Sequence, residues 1–199
     1  MTATTAKSME RAAAVEVRPL TAARLADFLA FFDGDAFADN PKWASCFCQC
    51  FYEDHSKLHW NSRTAAENRA AACRRIGEGT MQGFLAYREG RVVGWCNAAP
   101  RPLLHALDSE PIPDGAHAGT ILCFLVTPAA RGSGIATALL RGACDGLRVQ
   151  GLRYVDANPR PDATGVGENH YGPLRMYLAA GFSVRRADDD GSVWVRLAL

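Results

Sequence analysis

The stretch Val126-Thr127-Pro128-Ala129-Ala130-Arg131-Gly132-Ser133-Gly134-Ile135-Ala136 joins an apolar run to a long amphipathic segment. Before it, Thr120 to Thr127 carries Ile-Leu-Cys-Phe-Leu-Val at its centre, too short for a helix and suited to a central strand. After it, Ser133 to Gln150 sets Thr137, Arg141, Asp145 and Arg148 on one face and Ile135, Leu139 and Ala143 on the other. That period is helical. Gly132 and Gly134 can take positive φ and let the backbone approach a ligand closely. The unpaired N–H groups of the new helix point into the same concavity, where Arg131 adds a positive charge. One reading is an anion site suited to a diphosphate; the other is a plain strand-to-helix turn.

Working outward, Val15 to Leu20 alternates as a strand, and Thr21 is a possible N-cap for a helix carrying Leu25, Phe28, Leu29 and Phe32. Asp33 to Asn61 reads as a loop with many aromatics. Thr64-Ala-Ala-Glu67 has capping-box spacing and opens a second helix running towards Gly77. Met81 to Arg88 and Arg91 to Ala98 form a strand pair across Glu89-Gly90, and a loop follows from Pro100 to Gly119. Beyond the long helix, which Gly151 ends, come a strand from Leu152 to Ala157 and a short helix between Pro173 and Gly181. A hairpin, Phe182 to Arg186 and Ser192 to Leu197, closes the chain. These elements predict one α/β domain over 15–199, a single mixed, mostly antiparallel sheet with helices on both faces. Residues 1–14 read as a loose tail.

The bulk composition excludes several classes. The 199 residues carry a net charge of +1, so no basic excess points to nucleic acid or a membrane surface. No apolar run approaches a membrane span, and the first residues lack a signal-type apolar stretch. Seven cysteines, four of them scattered singly (Cys73, Cys96, Cys123, Cys144), suit reduced thiols and a cytoplasmic address.

Two rival phosphate-binding motifs can be tested on the letters. A P-loop needs Lys-Ser/Thr after its last glycine, where this chain has Ile135-Ala136. A dinucleotide fingerprint needs its glycines directly after the strand; Thr127 to Arg131 intervene and Thr137 replaces the third glycine, although Asp156 is a fair match for the distal acid. The pattern Val126-x-Pro128-x-x-Arg131-Gly132-x-Gly134-Ile135-Ala136 instead resembles the acetyl-CoA signature of the GNAT acetyltransferase superfamily. Tyr177-Leu-Ala-Ala-Gly181-Phe182 resembles a second family feature, a tyrosine four residues before Gly-Phe that lies beside the CoA sulfur. The match in element order spans Val15 to Leu197.

The resemblance implies a set of roles. Backbone groups of Phe124, Leu125 and Val126 would pair with the pantetheine amides like an extra strand. Arg131, Gly132, Ser133, Gly134, Ile135, Ala136 and Thr137 would hold the pyrophosphate of acetyl-CoA, the acyl-donor cosubstrate. Many relatives carry a cofactor-contacting Asn seven residues before the tyrosine; here His170 stands there, with Asn169 beside it. The expected protein is a monomer or homodimer acting on a small-molecule amine. A non-catalytic acyl-CoA sensor with the same fold and a nucleotide-dependent oxidoreductase are the alternatives.

Acetyl transfer needs a neutral amine, stabilisation of the oxyanion and a proton for the departing thiolate. Tyr177 can supply that proton, because a phenol with a pKa of about 10 is protonated at pH 7. A backbone N–H near Val126 can meet the oxyanion. The base is open among Glu53, Asp54, His105, Asp108, Glu110, His117 and Asp156. Between the first two helices, where such enzymes usually build the acceptor pocket, lies Trp43-Ala-Ser-Cys46-Phe-Cys48-Gln-Cys50-Phe51-Tyr52. Cys-x-Cys-x-Cys lacks the paired spacing of a structural zinc site, so no metal is expected. An extended segment would put the three thiols on one face and Phe47, Gln49 and Phe51 on the other. Aromatics here and acids in the 100–118 loop would suit a cationic amine with an apolar body.

Overall fold

In the computed structural model, residues 14–199 are described apart from 111, 162, 164, 166 and 167. Residues 1–13 of the expected tail lie outside the described residues. The strands are β1 (Glu16–Pro19), β2 (Phe84–Arg88), β3 (Arg91–Pro100), β4 (Ala118–Val126), β5 (Tyr154–Ala157), β6 (Ser183–Ala187) and β7 (Val193–Ala198). The helices are α1 (Leu25–Asp33), α2 (Ala65–Glu78), α3 (Ile135–Val149) and α4 (Leu174–Ala179). All seven strands join one sheet in the order β1-β2-β3-β4-β5-β7-β6, with β4 and β5 parallel and the other neighbours antiparallel. The expected mixed, mostly antiparallel sheet is the one observed.

Side-chain alternation along the strands builds two cores, one on each face. Leu85, Tyr87, Trp95 and Ala99 bury with Phe28, Phe31 and Phe32 of α1 and Ala72 and Ile76 of α2. Trp95 meets the rings of Phe28 and Phe32 edge-on. On the other face Phe84, Ala86, Cys96 and Ala98 bury against Ile135, Leu139, Ala143 and Leu147 of α3. The sheet is therefore covered on both sides, as the composition of its strands requires.

One irregularity shapes everything around it. Asn97 of β3 pairs with Cys123, yet Ala98 pairs with Ile121, so Leu122 is an extra residue in β4. This β-bulge breaks the alternation. Leu122 and Cys123 both enter the core beneath α1 and α2, while Ile121 and Phe124 enter the α3 side. The parallel ladder to β5 ends at the same place, with Ile121 opposite Ala157. From Leu122 to Val126 that edge of β4 has no strand partner among the described residues, although β3 follows the other edge as far as Val126.

Local sequence explains the helix ends. Thr64 and Glu67 form the expected capping box, the Thr64 hydroxyl accepting from the Glu67 N–H at 3.2 Å. Thr21 does not cap; its hydroxyl accepts from Arg24, and a single 3-10 turn precedes α1. α3 starts at Ile135 rather than Ser133, because Gly132 and Gly134 sit at φ +71° and +83°, outside helical space. The 34–63 segment is a chain of short 3-10 turns, with Phe47 and Cys48 both at positive φ. It is therefore not extended, and the expected separation of thiols from aromatics onto opposite faces does not hold. No helix of the described residues is long and apolar enough to cross a membrane.

Candidate active site

The splay between β4 and β5 lies on a row of cavities that share walls. A cradle of about 720 Å³ is bounded by Gly132, Gly134, Ile135, Ala136 and Thr137, with Val126, Arg131, Pro173, Arg175 and Met176 around it. It shares Val126, Arg131, Ala136 and Pro173 with an inner cavity of about 250 Å³ lined by Phe124, Leu125, Asp39, Asn169 and His170. Across Phe37, Trp43, Leu125 and His170 lies a third pocket of about 290 Å³, lined by Cys46, Cys48, Cys50, Cys123, Phe51, Trp60 and Tyr171. Cys50, Phe51 and Tyr171 separate this thiol pocket from a fourth of about 420 Å³, which holds Glu110, Asp188, Asp190 and Trp194.

The cradle owes its character to backbone donors. The N–H groups of Ile135, Ala136 and Thr137 open α3 without intrahelical acceptors, and the first ladder bond is Ala138 N–H to the Gly134 carbonyl. Gly134 caps the helix in left-handed geometry, so no side chain competes for those donors. Two of the predicted residues behave otherwise. Ser133 turns its hydroxyl to the Ala130 carbonyl at 2.5 Å and accepts from Arg88. Arg131, expected over the anion, instead makes a bidentate pair with Asp39 and donates to the Val126 carbonyl at 3.1 Å. The Arg131 hydrogen bond holds the Asp39 carboxyl below its usual range. Sequence reasoning missed Arg175, an exposed cation on the cradle wall that has no ion pair among the described residues. Its position two residues before Tyr177 was the available signal.

Tyr177 lies fully buried between Phe124, 6.4 Å away between ring centroids, and Phe182, at 5.1 Å. Burial pushes its phenol well above the ordinary value, so the proton is held at pH 7. The hydroxyl donates to the Tyr171 carbonyl at 2.6 Å. It thus sits behind the free half of β4, with its proton already engaged.

The expected base candidates are mostly tied into the scaffold. Burial pushes Glu53 up, but the hydrogen bond and charge of Arg75 and the charge of Arg63 outweigh it. Asp54 is held at about 2 by Lys57 and Ser56. His105 pairs with Asp108 at the exposed surface. Asp156, 3% exposed, accepts both arms of Arg196 at 2.7 and 2.9 Å. Of these residues only Glu110 lines one of the four cavities, and it does so in the outermost pocket.

All seven cysteines are free. Cys48 is buried and accepts from the Trp95 indole N–H at 3.2 Å, which makes it part of the core as well as the pocket wall. Burial pushes the Cys46 thiol to about 12 and Cys50 to about 11, so both are neutral at pH 7. Among the described residues no three His, Cys, Asp or Glu side chains converge to hold a metal ion.

Comparisons with known proteins agree with this geometry. The family model for the acetyltransferase (GNAT) family matches residues 40–182. No curated protein matches the chain in sequence. Among similar solved structures, an N-acetyltransferase from Staphylococcus aureus Mu50 is 17% identical, with a TM-score of 0.56 over 93% of this chain and 98% of its own. The PaiA N-acetyltransferase from Thermoplasma acidophilum, solved in complex with coenzyme A, is 13% identical, with a TM-score of 0.54 over 94% and 99%. A polyamine N-acetyltransferase from Drosophila melanogaster, which forms N-acetylagmatine, is 15% identical, with a TM-score of 0.53 over 94% and 100%. At such identities the likeness establishes the fold.

The Asp156–Arg196 pair predicts a purely structural phenotype. Arg196→Met leaves a buried carboxylate without its partner, and should lower unfolding free energy in urea by about 3–5 kcal/mol. A loss under about 1 kcal/mol would mean that Asp156 is not held by this pair.

Proposed function

The chain belongs to the GNAT acetyltransferase family, and from that premise we propose that it moves an acetyl group from acetyl-CoA to the amine of a small molecule. The observation that carries this reading is the row of cavities across the free edge of β4. It gives the donor and the acceptor separate approaches to one stretch of backbone. The cradle fits a diphosphate on its own chemistry, with helix N–H donors, no carboxylate in its wall among the described residues and the Arg175 cation beside it. Phe124, Leu125 and Val126 offer their unpartnered edge to the pantetheine amides, as a strand added to the sheet. Arg131, paired with Asp39, closes the wall between the cradle and the inner cavity.

On this reading the amine nitrogen attacks the thioester carbonyl within the inner cavity. A β4 amide near Val126 meets the developing oxyanion. Tyr177 exchanges the Tyr171 carbonyl for the departing sulfur and gives it a proton. Its ring contact with Phe124 keeps it directly behind the strand on which the donor would lie.

A second reading, an acyl-CoA-binding sensor, is favoured by one observation: the Tyr177 hydroxyl is buried and already bonded. A panel of amines supplied with acetyl-CoA, read by release of free thiol, separates the two. Turnover of any amine above hydrolysis excludes the sensor, and tight binding with no turnover excludes the transferase.

Two variants test the assignments. Gly134→Asp places a carboxylate in the cradle and should weaken acetyl-CoA binding at least tenfold, about 1.4 kcal/mol. Unchanged affinity by calorimetry in the folded variant would remove the cradle from the cosubstrate site. Tyr177→Phe should leave acetyl-CoA affinity nearly intact and lower kcat by roughly 10²–10⁴-fold. A variant within twofold of wild type would assign the proton to water or another group.

A further inference from the structure

We propose that Asp39 is a positioning residue: through Arg131 it fastens residues 38–43, a wall shared by the inner cavity and the thiol pocket, to the donor cradle, so that a filled cradle orders the acceptor side. This rests on the acetyl-transfer reading above only in taking coenzyme A as the occupant of the cradle.

Residues 38–43 form a strap with little else to hold it. Its ends are pinned in the core, where Phe37 before it and Phe47 after it both meet the Phe32 ring at 5.8 Å between centroids. Between those ends none of residues 38–43 is buried. The backbone bonds of the strap are local: Asn40 N–H to the Phe37 carbonyl, Trp43 N–H to the Asn40 carbonyl and Ala44 N–H to the Pro41 carbonyl. Among the described residues, the Asp39–Arg131 pair is the only ion pair or hydrogen bond that joins 38–43 to the chain beyond 35–46. Trp43 adds an edge-on ring contact with His170 at 5.0 Å. A segment that buries so little apolar surface opens at small cost. Yet Asp39, Asn40 and Trp43 line the inner cavity, and Lys42 and Trp43 line the thiol pocket.

Arg131 is the fixed partner. Its Nε donates to the Val126 carbonyl at 3.1 Å, and its two terminal nitrogens donate to the two Asp39 oxygens. Its backbone leads straight into Gly132 and Gly134, which bound the cradle. A planar guanidinium that meets a carboxylate through two bonds fixes the direction of approach as well as the distance. The pair is half-exposed, so it adds little to global stability and acts by placing the strap. With Arg131 committed to Val126 and Asp39, the helix N–H groups and Arg175 are left to meet the diphosphate. A diphosphate on those N–H groups would immobilise the turn that carries Arg131 and leave its guanidinium pre-organised for Asp39. Once the donor has ordered that turn, the strap settles at a smaller entropic cost.

Amide hydrogen exchange at Asn40, Trp43 and Ala44, with and without coenzyme A, tests the coupling in wild type, Asp39→Ala and Asp39→Asn. In wild type, coenzyme A should slow these three amides by roughly fivefold or more, the lower end of the usual coupling between sites. In Asp39→Ala the amides at the start of α3 should still slow. The three strap amides should exchange faster than in wild type and no longer respond to coenzyme A. Asp39→Asn keeps the shape and removes the charge, and it should lose the response as well, which a merely space-filling role would not do. An Asn variant that keeps the full response would overturn the ion pair as the tie. Strap amides that slow equally in wild type and Asp39→Ala would mean that the donor touches the strap directly, and would overturn the coupling. So would wild-type strap amides that stay unchanged or speed up on binding, the latter showing that the diphosphate draws Arg131 away from Asp39. Coenzyme A that binds without slowing the start of α3 would instead overturn the donor site of the acetyl-transfer reading.

Discussion

One extra residue, Leu122 in β4, sets the shape of the sheet's middle. The parallel pairing with β5 stops at Ile121, where β5 itself ends at Ala157, and at the same place the bulge turns Leu122 and Cys123 onto one face. Among the described residues, five residues of β4 therefore keep an edge without a strand. Unpaired backbone polar groups are costly when buried, and an edge strand invites an added one. The sheet can maintain this gap because both of its faces are well anchored elsewhere. Trp95 sits among the α1 aromatics on one side, and α3 covers four strands on the other.

Everything assigned to function is arranged about that gap. α3 begins just beyond the free edge, so its first N–H groups border the cavity that the edge opens. α4 brings Tyr177 behind Phe124, and the turn before it brings His170 and Tyr171 to the junction of the two sides. The 3-10 turns of residues 34–63 form the far wall. Phe47 and Cys48 are held there in left-handed backbone conformations, which only dense surroundings can maintain. Both residues are buried, and Cys48 accepts a hydrogen bond from Trp95. The acceptor wall is thereby coupled to the main core.

What the sequence made legible were features set by short-range chemistry. The capping box at Thr64, the turn at Glu89-Gly90 and the glycines before α3 depend on residues a few positions apart. The apolar run of β4 likewise declares a central strand, although it begins at Ala118, and Gly119 leaves room there for Leu147. The bulge was not legible, since nothing in Ile121-Leu122-Cys123-Phe124 separates it from a regular strand until β3 supplies the register. Pairings across the fold were hidden in the same way. Arg131 looked free for an anion because its partner Asp39 is 92 residues away, and Asp156 looked like a base because Arg196 is 40 residues away. Arg175 acquires interest only once α4 is folded beside the cradle.

Protection of the β4 amides against hydrogen exchange, with and without coenzyme A, tests most directly whether the free edge is where the donor binds. Those amides between Leu122 and Val126 that face the free edge rather than β3, and those at the start of α3, should slow by at least tenfold on binding, while those of Ala118–Ile121, already flanked by β3 and β5, should change little. Unchanged exchange along Leu122–Val126 with coenzyme A demonstrably bound, or protection confined to another edge of the sheet, would contradict it.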